Sequence, residues 1–189
     1  SHPPGGLLPG RPRMCAVSLF PQLLGEAFAR LDAPLRMVHR GGGADLHGIA
    51  TVERGTGWLA QLACRVARLP RSVRNGPLRF ELVVDAEGEQ WTRYFAGSGP
   101  MRSRLRLDGA TLVERLGPAV ARFELTERDG ALLWQAVGLR VLGIPVPGWA
   151  FDFQARVRGR GPWYRFEIDA HLALIGRLIR YQGELHVTG

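Results

Sequence analysis

Three polar residues, Arg93, Ser103 and Glu114, fall at spacings that place them side by side on an apolar face of a β-sheet. A carboxyl group among apolar neighbours acquires a shifted pKa, which suits it to general acid or base chemistry. A neighbouring guanidinium can orient that carboxylate or hold a carboxylate or carbonyl group of a substrate. We therefore predict Glu114 and Arg93 as catalytic residues and Ser103 as a substrate-binding residue. The alternatives are a structural ion pair without chemistry, or an error in strand register that leaves both charges in solvent.

Tight turns position these residues, because the length of a turn decides which residues of two strands oppose each other. The turn at residues 97–100 sets Arg93 against Ser103. The dipeptide Asp108-Gly109 is the strongest hairpin signal of the chain, and it sets Ser103 against Glu114. Neighbouring strands lie about 4.8 Å apart, so the Cα atoms of Arg93 and Glu114 are predicted roughly 10 Å apart. A guanidinium side chain spans much of that distance.

Alternating apolar and polar residues continue along the chain and predict about nine or ten consecutive antiparallel strands. That number is too large for a flat sheet, so we predict an antiparallel meander curved into a barrel or half-barrel. Apolar residues at helical spacing predict two N-terminal amphipathic helices, one over residues 19–31 capped by Ser18 and one from Thr56 to residue 69. A short helix ending at His39 lies between them. The fold class is α+β and β-dominated, with the helices plugging one end or packing on one wall.

Aromatic side chains dominate the face of the meander that is predicted to point inward. A closed meander of this size can hold one hydrophobic ligand among such side chains. We therefore predict that they bind a substrate, with simple filling of the core as the alternative. The aromatic residues assigned to substrate binding are Trp91, Phe95, Phe123, Trp134, Tyr164 and Tyr181.

The outward face of the last hairpin carries a row of acidic residues and histidines. A turn at residues 176–177 sets Asp169 against Glu184, and two opposed carboxylates repel unless a proton, a cation or an arginine relieves them. Because His171 and His186 share this face, a divalent metal is one interpretation. A solvated strand face is the other, and no H-x-H or H-E-x-x-H element favours the metal. We assign no metal ligand, and whether this face binds a metal stays an open question.

Composition narrows the classes of partner. The formal net charge of the 189 residues is +8, and all 25 basic residues are arginine. A basic protein can bind phosphate-rich partners, but no helix-turn-helix, zinc-finger or aromatic RNA-binding pattern is present. A Gly-rich nucleotide motif and a zinc-type Cys/His spacing are also missing from the sequence. We therefore predict no nucleic-acid partner and no cofactor.

Residues 1–17 are predicted as a flexible leader or a remnant of expression, because residues 1–13 are rich in proline and glycine. Residues 18–189 are predicted as a single β-rich domain. The cysteines, Cys15 and Cys64, cannot form a disulfide framework, and with no signal-peptide pattern they favour a reducing cytoplasm. No apolar run approaches the roughly 20 residues of a transmembrane segment.

Four short segments resemble those of one bacterial family. They are residues 52–60 (VERGTGWLA), 91–95 (WTRYF), 143–147 (GIPVP) and 175–183 (IGRLIRYQG). From about residue 19 to residue 187 the chain resembles the family named "domain of unknown function 4166". The resemblance supplies no catalytic residues. Relatives occur alone or attached to saccharopine-dehydrogenase-like or short-chain reductase domains, which implies small-molecule metabolism. A reductase partner of this chain would be a separate chain, because the sequence has no room for a reductase domain.

Two functional hypotheses fit an apolar pocket with one charged pair. In the first, a cofactor-independent cyclase or isomerase of specialised metabolism acts on a lipid-like, polyketide-like or terpenoid-like substrate. The pocket imposes a reactive conformer, while Glu114 and Arg93 polarise it or move a proton. In the second, a non-catalytic module carries a hydrophobic ligand for a partner oxidoreductase. A third hypothesis, ranked below these two, is a protein that binds a membrane or nucleic-acid surface through its arginines. The substrate and the oligomeric state stay open in all three.

Overall fold

A computed structural model of the chain describes residues 18–188, so the predicted leader, residues 1–17, lies outside the described residues. The strands are β1 (Ala44–Arg54), β2 (Val73–Asp85), β3 (Gly88–Phe95), β4 (Met101–Asp108), β5 (Thr111–Leu116), β6 (Ala119–Arg128), β7 (Ala131–Val141), β8 (Ile144–Pro145), β9 (Phe151–Arg160), β10 (Trp163–Leu172) and β11 (Gly176–His186). All except β8 form a closed barrel of ten antiparallel strands in chain order. β11 pairs with β1 and closes the ring, while the short β8 pairs with the end of β7. The predicted β-dominated barrel is confirmed.

The barrel wall follows from the alternation of side chains along each strand. In β2, for example, Leu78, Phe80 and Leu82 are buried, whereas Arg79 and Val83 are exposed. The apolar inward residues of all ten strands form one continuous core. Closure of the ring pairs the first strand with the last, which leaves no long unpaired edge.

Strand registers agree with the predicted faces but not everywhere with the predicted partners. Glu114 lies opposite Ala121 in the β5–β6 pair, the register that the turn dipeptide Gly117-Pro118 predicts. In the β3–β4 pair, Arg93 lies opposite Met101 rather than Ser103. In the β4–β5 pair, Leu105 rather than Ser103 lies opposite Glu114. Both errors are shifts of two residues, and a shift by an even number keeps every side chain on the same face. The inward orientation of these residues therefore survives.

The β10–β11 hairpin departs furthest from the prediction. Its turn comprises residues 173–175, earlier than predicted, and the register shifts accordingly. Asp169 consequently lies opposite Arg180, and Glu184 lies opposite Arg165. The predicted opposition of two carboxylates is wrong, because the true turn brings an arginine to each acidic residue. The inward face is unchanged, since this shift is also even in number.

The segment before β1 covers one end of the barrel, called here the closed end. It contains α1 (Leu19–Leu24), a 3₁₀-helix (Gly25–Arg30) and α2 (Ala33–His39). The single helix predicted over residues 19–31 is therefore interrupted, because Gly25 adopts a positive φ of 55° that ends α1. The buried side chains of this segment, which plug the barrel, are Leu19, Phe20, Leu31, Pro34, Leu35, Val38 and His39.

Asp32 attaches this segment to the barrel. Its backbone N–H donates to the carbonyl oxygen of Gly130 at 2.8 Å, and its carboxylate accepts from the N–H of Gly159 at 2.8 Å. The approach at Gly159 is close: a Cβ there would lie 2.6 Å from Cδ of Pro34 and 2.7 Å from Cβ of Asp32. Only glycine fits at this position without displacing α2 from β9.

The opposite end is partly covered by α3 (Trp58–Val66). Ala60 and Cys64 are fully buried, and the Cys64 thiol donates to the carbonyl oxygen of Leu178 in β11 at 3.4 Å. The Arg54 guanidinium, at the end of β1, donates to carbonyl oxygens of the segment that follows α3. One side of α3 is therefore fixed to β1 and β11, while its other side crosses the end of the barrel.

Neither predicted helix cap is used. Gly57, not Thr56, directly precedes α3. Ser18 precedes α1, but its hydroxyl donates to Glu89 inside the barrel instead of capping the helix. Glu89 also accepts from the N–H of Leu19, so a carboxylate of the barrel satisfies the first N–H of α1. In residues 18–188 no helix combines the length and apolarity needed to cross a bilayer.

Candidate functional site

The interior of the barrel contains a cavity of about 670 Å³. Leu59, Leu62 and Val66 of α3 and Leu174 of the β10–β11 turn line this cavity and are also exposed to solvent. Side chains that border both the cavity and the solvent mark its opening. The cavity therefore opens at the α3 end, called here the mouth.

The cavity wall is largely apolar and contains few polar side chains, among them Gln154. Among the described residues that line it, Arg93 and Glu114 are the only charged ones. Both lie in the half of the barrel nearer the mouth, since β3 runs toward that end and β5 terminates there. A ligand that enters through the mouth would therefore meet this pair while its remaining surface contacted hydrocarbon.

Arg93 is held by three neighbours. Its Nη1 donates to Oγ of Ser103 at 3.1 Å, and its Nη2 donates to Oε1 of Glu114 at 3.4 Å. Its guanidinium carbon lies 5.1 Å from the ring centroid of Trp91, within the range of a cation–π interaction. The predicted contact of the three polar residues is present, although none of the three pairs directly with another in the strand register. Ser103 is buried behind Arg93 and does not line the cavity.

The Arg93–Glu114 pair is shielded but not sealed. The side chain of Arg93 is 11% exposed and that of Glu114 is 17% exposed. A charge at such a position is stable only with a partner, so each residue requires the other. A guanidinium carries five N–H donors, and Ser103 and Glu114 engage two of them. The pair therefore retains capacity to bind a polar atom of a ligand.

A second acidic residue, Glu89, lies inside the closed end of the barrel and is fully buried. Its carboxylate accepts three hydrogen bonds: from Oγ of Ser18 at 2.7 Å, from the N–H of Leu19 at 3.0 Å and from Nε1 of Trp91 at 2.9 Å. These donors replace the water that the carboxylate loses on burial. Since Glu89 does not line the cavity, its contacts are those of a structural residue.

His39 and Tyr164 form a buried pair at the closed end. His39 Nε2 and the Tyr164 hydroxyl are 2.9 Å apart, and the imidazole stacks on Phe20 with ring centroids 4.0 Å apart. Burial lowers the pKa of His39 to about 3. Burial also raises the pKa of Tyr164, an effect that the nearby Arg93 partly opposes. Both side chains are therefore neutral near pH 7, and one hydrogen bond joins them.

The six aromatic residues predicted to bind a substrate all line the cavity. Five of them are buried, and Tyr181 is half-buried. The Tyr181 ring packs edge-on against Phe95, with centroids 5.5 Å apart. Burial raises the pKa of Tyr181, whereas the charge of Arg93 acts in the opposite direction. The six cavity-lining aromatic residues are Trp91, Phe95, Phe123, Trp134, Tyr164 and Tyr181. Their role in substrate binding stays a prediction.

The acidic residues of the last hairpin contact arginines, and Asp169 also lies 3.0 Å from Nε2 of His171. Glu184 pairs with Arg165 at 3.1 Å, and Asp169 lies 3.3 Å from Arg177. No group of three His, Cys, Asp or Glu in residues 18–188 is arranged to hold a metal ion. Within the described residues, the acidic side chains of this face therefore take part in ion pairs.

Two buried polar residues, Glu89 and His39, are not predicted from the sequence to lie inside the barrel. The signal for Glu89 is the alternation in β3, because it shares parity with the inward residues Trp91 and Arg93. The signal for His39 is helical spacing, since it lies four residues after the buried Leu35. The run of glycines after His39 predicts that the helix ends there, and a residue at the end of a helix is not expected to point into the core.

Comparison with known proteins gives one result. No curated protein and no solved structure matches the chain. The model of one protein family, described as "Domain of unknown function (DUF4166)", matches residues 31–185. This range begins before α2 and ends one residue before the end of β11, so it includes every residue of the cavity site. The chain therefore belongs to the DUF4166 family, as the resemblance of its short segments predicts.

Proposed function

We propose that this barrel binds one hydrophobic small molecule in its cavity and holds a polar atom of that molecule at Arg93. The observation that carries the proposal is the cavity of about 670 Å³, whose largely apolar wall contains one charged pair, Arg93–Glu114, among the described residues. Its volume lies within the range of ligand pockets, roughly 300–1,000 Å³. A water-filled cavity with such a wall would be unfavourable, so an apolar occupant supplies the missing contacts.

The charged pair defines the polar part of the ligand. The guanidinium of Arg93 retains N–H donors beyond those engaged by Ser103 and Glu114. A carbonyl, hydroxyl or carboxylate oxygen is the complementary acceptor. Tyr181 lines the same cavity, and its hydroxyl is a second candidate donor. The proposed ligand is therefore a largely hydrocarbon molecule with one oxygen function near its middle or end.

A second candidate function, a cofactor-independent isomerase or cyclase, is favoured by the position of Glu114 next to Arg93. With a ligand carbonyl on Arg93, the adjacent C–H bond is acidified because the guanidinium stabilises the developing enolate oxygen. With a β,γ-unsaturated carbonyl ligand, Glu114 would accept the proton from Cα as a general base and return it to Cγ of the dienolate, which moves the double bond to the α,β position. No oxidant or second substrate is needed. An intramolecular ring closure would use the same polarisation.

Binding is tested by native mass spectrometry of the purified protein and by titration with the fluorescent apolar anion 1-anilinonaphthalene-8-sulfonate. We expect a copurified small molecule and saturable binding of about one dye per chain. Ala121→Trp places an indole in the cavity and should weaken dye binding at least about tenfold. Val137→Trp is the matched control, because Val137 is exposed on the outer face of β7. Equal affinity of both variants would contradict a binding site in the barrel.

Catalysis is tested separately on the molecule recovered from the protein. It is incubated in D₂O with fresh protein, and deuterium uptake is followed by mass spectrometry. A general base at Glu114 predicts uptake with the wild type, loss of uptake with Glu114→Gln, and uptake with the exposed control Glu124→Gln. If all three proteins bind the molecule and none exchanges deuterium, the enzymatic candidate is wrong while the binding proposal stands.

A further inference from the structure

We propose that the mouth of the barrel docks on an anionic lipid membrane surface. This inference goes beyond ligand binding in the cavity, because it concerns the outer surface around the opening. It rests on two properties of that surface: large apolar side chains that face solvent, and a one-sided distribution of charge.

The apolar side chains at the mouth are unusually exposed for their size. Trp58 of α3 is 74% exposed, Trp149 of the β8–β9 connection is 73% exposed and Leu174 of the β10–β11 turn is 85% exposed. Leu142 and Ile144, before and within β8, are also exposed. All of these residues lie in connections at the end of the barrel where the cavity opens. Tryptophan at the edge of an apolar surface is typical of the interface between lipid headgroups and acyl chains.

Charge is distributed unequally between the two ends. The connections at the mouth, residues 55–72, 96–100, 117–118, 142–150 and 173–175, contain three arginines and no Asp or Glu. The three arginines are Arg65, Arg68 and Arg71, all exposed. At the closed end, by contrast, the segments contain Glu26, Asp32, Glu87 and Asp129 beside Arg30, Arg36 and Arg40, so positive and negative charges nearly balance there. The nearest acidic residues to the mouth, such as Glu53 and Asp152, lie within strands and not in these connections.

Exposed apolar side chains together with arginines favour an anionic lipid surface over other binding partners of the mouth. Two copies of the mouth would bring arginines against arginines, and like charges oppose such a dimer. A membrane containing anionic lipids attracts exposed arginines and accepts tryptophan and leucine side chains into its interface. α3 has the required form, with apolar residues on one side and Arg65 near its end. Docking in this orientation would place the opening of the cavity directly against the acyl chains.

Co-sedimentation of the full chain with vesicles tests the proposal. We compare vesicles of phosphatidylcholine alone with vesicles containing an equal part of phosphatidylglycerol. Binding is expected only to the anionic vesicles, and it should weaken as salt is added. Arg65→Glu/Arg71→Glu and Trp58→Ser/Trp149→Ser should each reduce the bound fraction at least about tenfold. The matched controls are Arg160→Glu and Val83→Ser, exposed residues away from the mouth, which should bind as the wild type does.

Three outcomes would overturn the proposal. Equal binding to both vesicle types would contradict a charge-selective surface, and equal losses in mouth and control variants would contradict docking by the mouth. If no vesicles are bound and analytical ultracentrifugation shows a dimer that Trp58→Ser/Trp149→Ser dissociates, the mouth is an interface between two copies. Because the exposed tryptophans do not line the cavity, dye binding by the same variants separates a failure of docking from a failure of ligand binding.

Discussion

Among the described residues of the cavity wall, Arg93 is the only cation. Its replacement by methionine removes the charge and keeps an apolar side chain of similar length. Glu114 then keeps a negative charge with no guanidinium to neutralise it. The Ser103 hydroxyl loses the hydrogen bond that Arg93 donates to it, and the Trp91 ring loses its contact with the guanidinium. The variant therefore tests whether the two charges depend on each other in the way that the geometry indicates.

The size of the effect follows from burial. Removal of one partner of a fully buried ion pair costs about 3–5 kcal/mol, because the other charge stays in a medium of low polarity. Since Glu114 is 17% exposed and borders a cavity that opens to solvent, we expect a smaller loss of about 2–3 kcal/mol. In a domain of this size that loss corresponds to a decrease in Tm of about 4–12 °C.

Urea denaturation measures this loss as a shift of the midpoint at constant m-value. Arg115→Met is the matched control, because Arg115 is exposed on the same strand as Glu114, and its effect should stay within about 0.5 kcal/mol. The double variant Arg93→Met/Glu114→Leu should regain part of the lost stability, since no unpaired charge remains. The reasoning is refuted if Arg93→Met is no more destabilising than the control, or if the double variant is less stable than Arg93→Met alone.

Two further predictions concern the closed end. Burial lowers the pKa of His39 to about 3, so between about pH 6.5 and pH 3 the unfolded chain binds a proton that the folded chain excludes. Stability should therefore fall with decreasing pH across that window, by about 1.4 kcal/mol per pH unit from this residue. His39→Gln should reduce this slope in urea midpoints measured from about pH 7 to pH 4, and the exposed control His47→Gln should not. Gly159→Ala should destabilise the fold by about 1–3 kcal/mol because its methyl group meets Pro34, whereas Gly148→Ala, with no atom within 4 Å, should be nearly neutral in thermal unfolding.

The barrel and the faces of its strands can be predicted from the sequence because they depend on local signals. Turn dipeptides and the alternation of side chains identify which residues point inward, and an even shift in register leaves that answer unchanged. Arg93 and Glu114 therefore reach the interior although their strands are displaced by two residues from the predicted pairing. Their contact also depends on the reach of the guanidinium, which tolerates such a displacement.

The polar residues of the closed end are harder to predict because their partners are distant in the sequence. The contact between Glu89 and Ser18 joins residues separated by 71 positions, and that between His39 and Tyr164 joins residues separated by 125. Each strand or helix alone shows a polar residue at an inward position, which a sequence argument treats as an exception. Only the packing of α1 and α2 against the barrel supplies the partners that make these positions favourable.

Two polar networks with different surroundings thus share one barrel, and the difference assigns them different roles. At the closed end, Glu89 receives three donors and lies outside the cavity wall, so its contacts are satisfied within the protein. Nearer the mouth, Arg93 borders the cavity with donors still available. A ligand can therefore compete for Arg93 but gains nothing from Glu89. Substitution of Glu89 should change stability whether or not a ligand is present, whereas substitution of Arg93 should change ligand affinity as well.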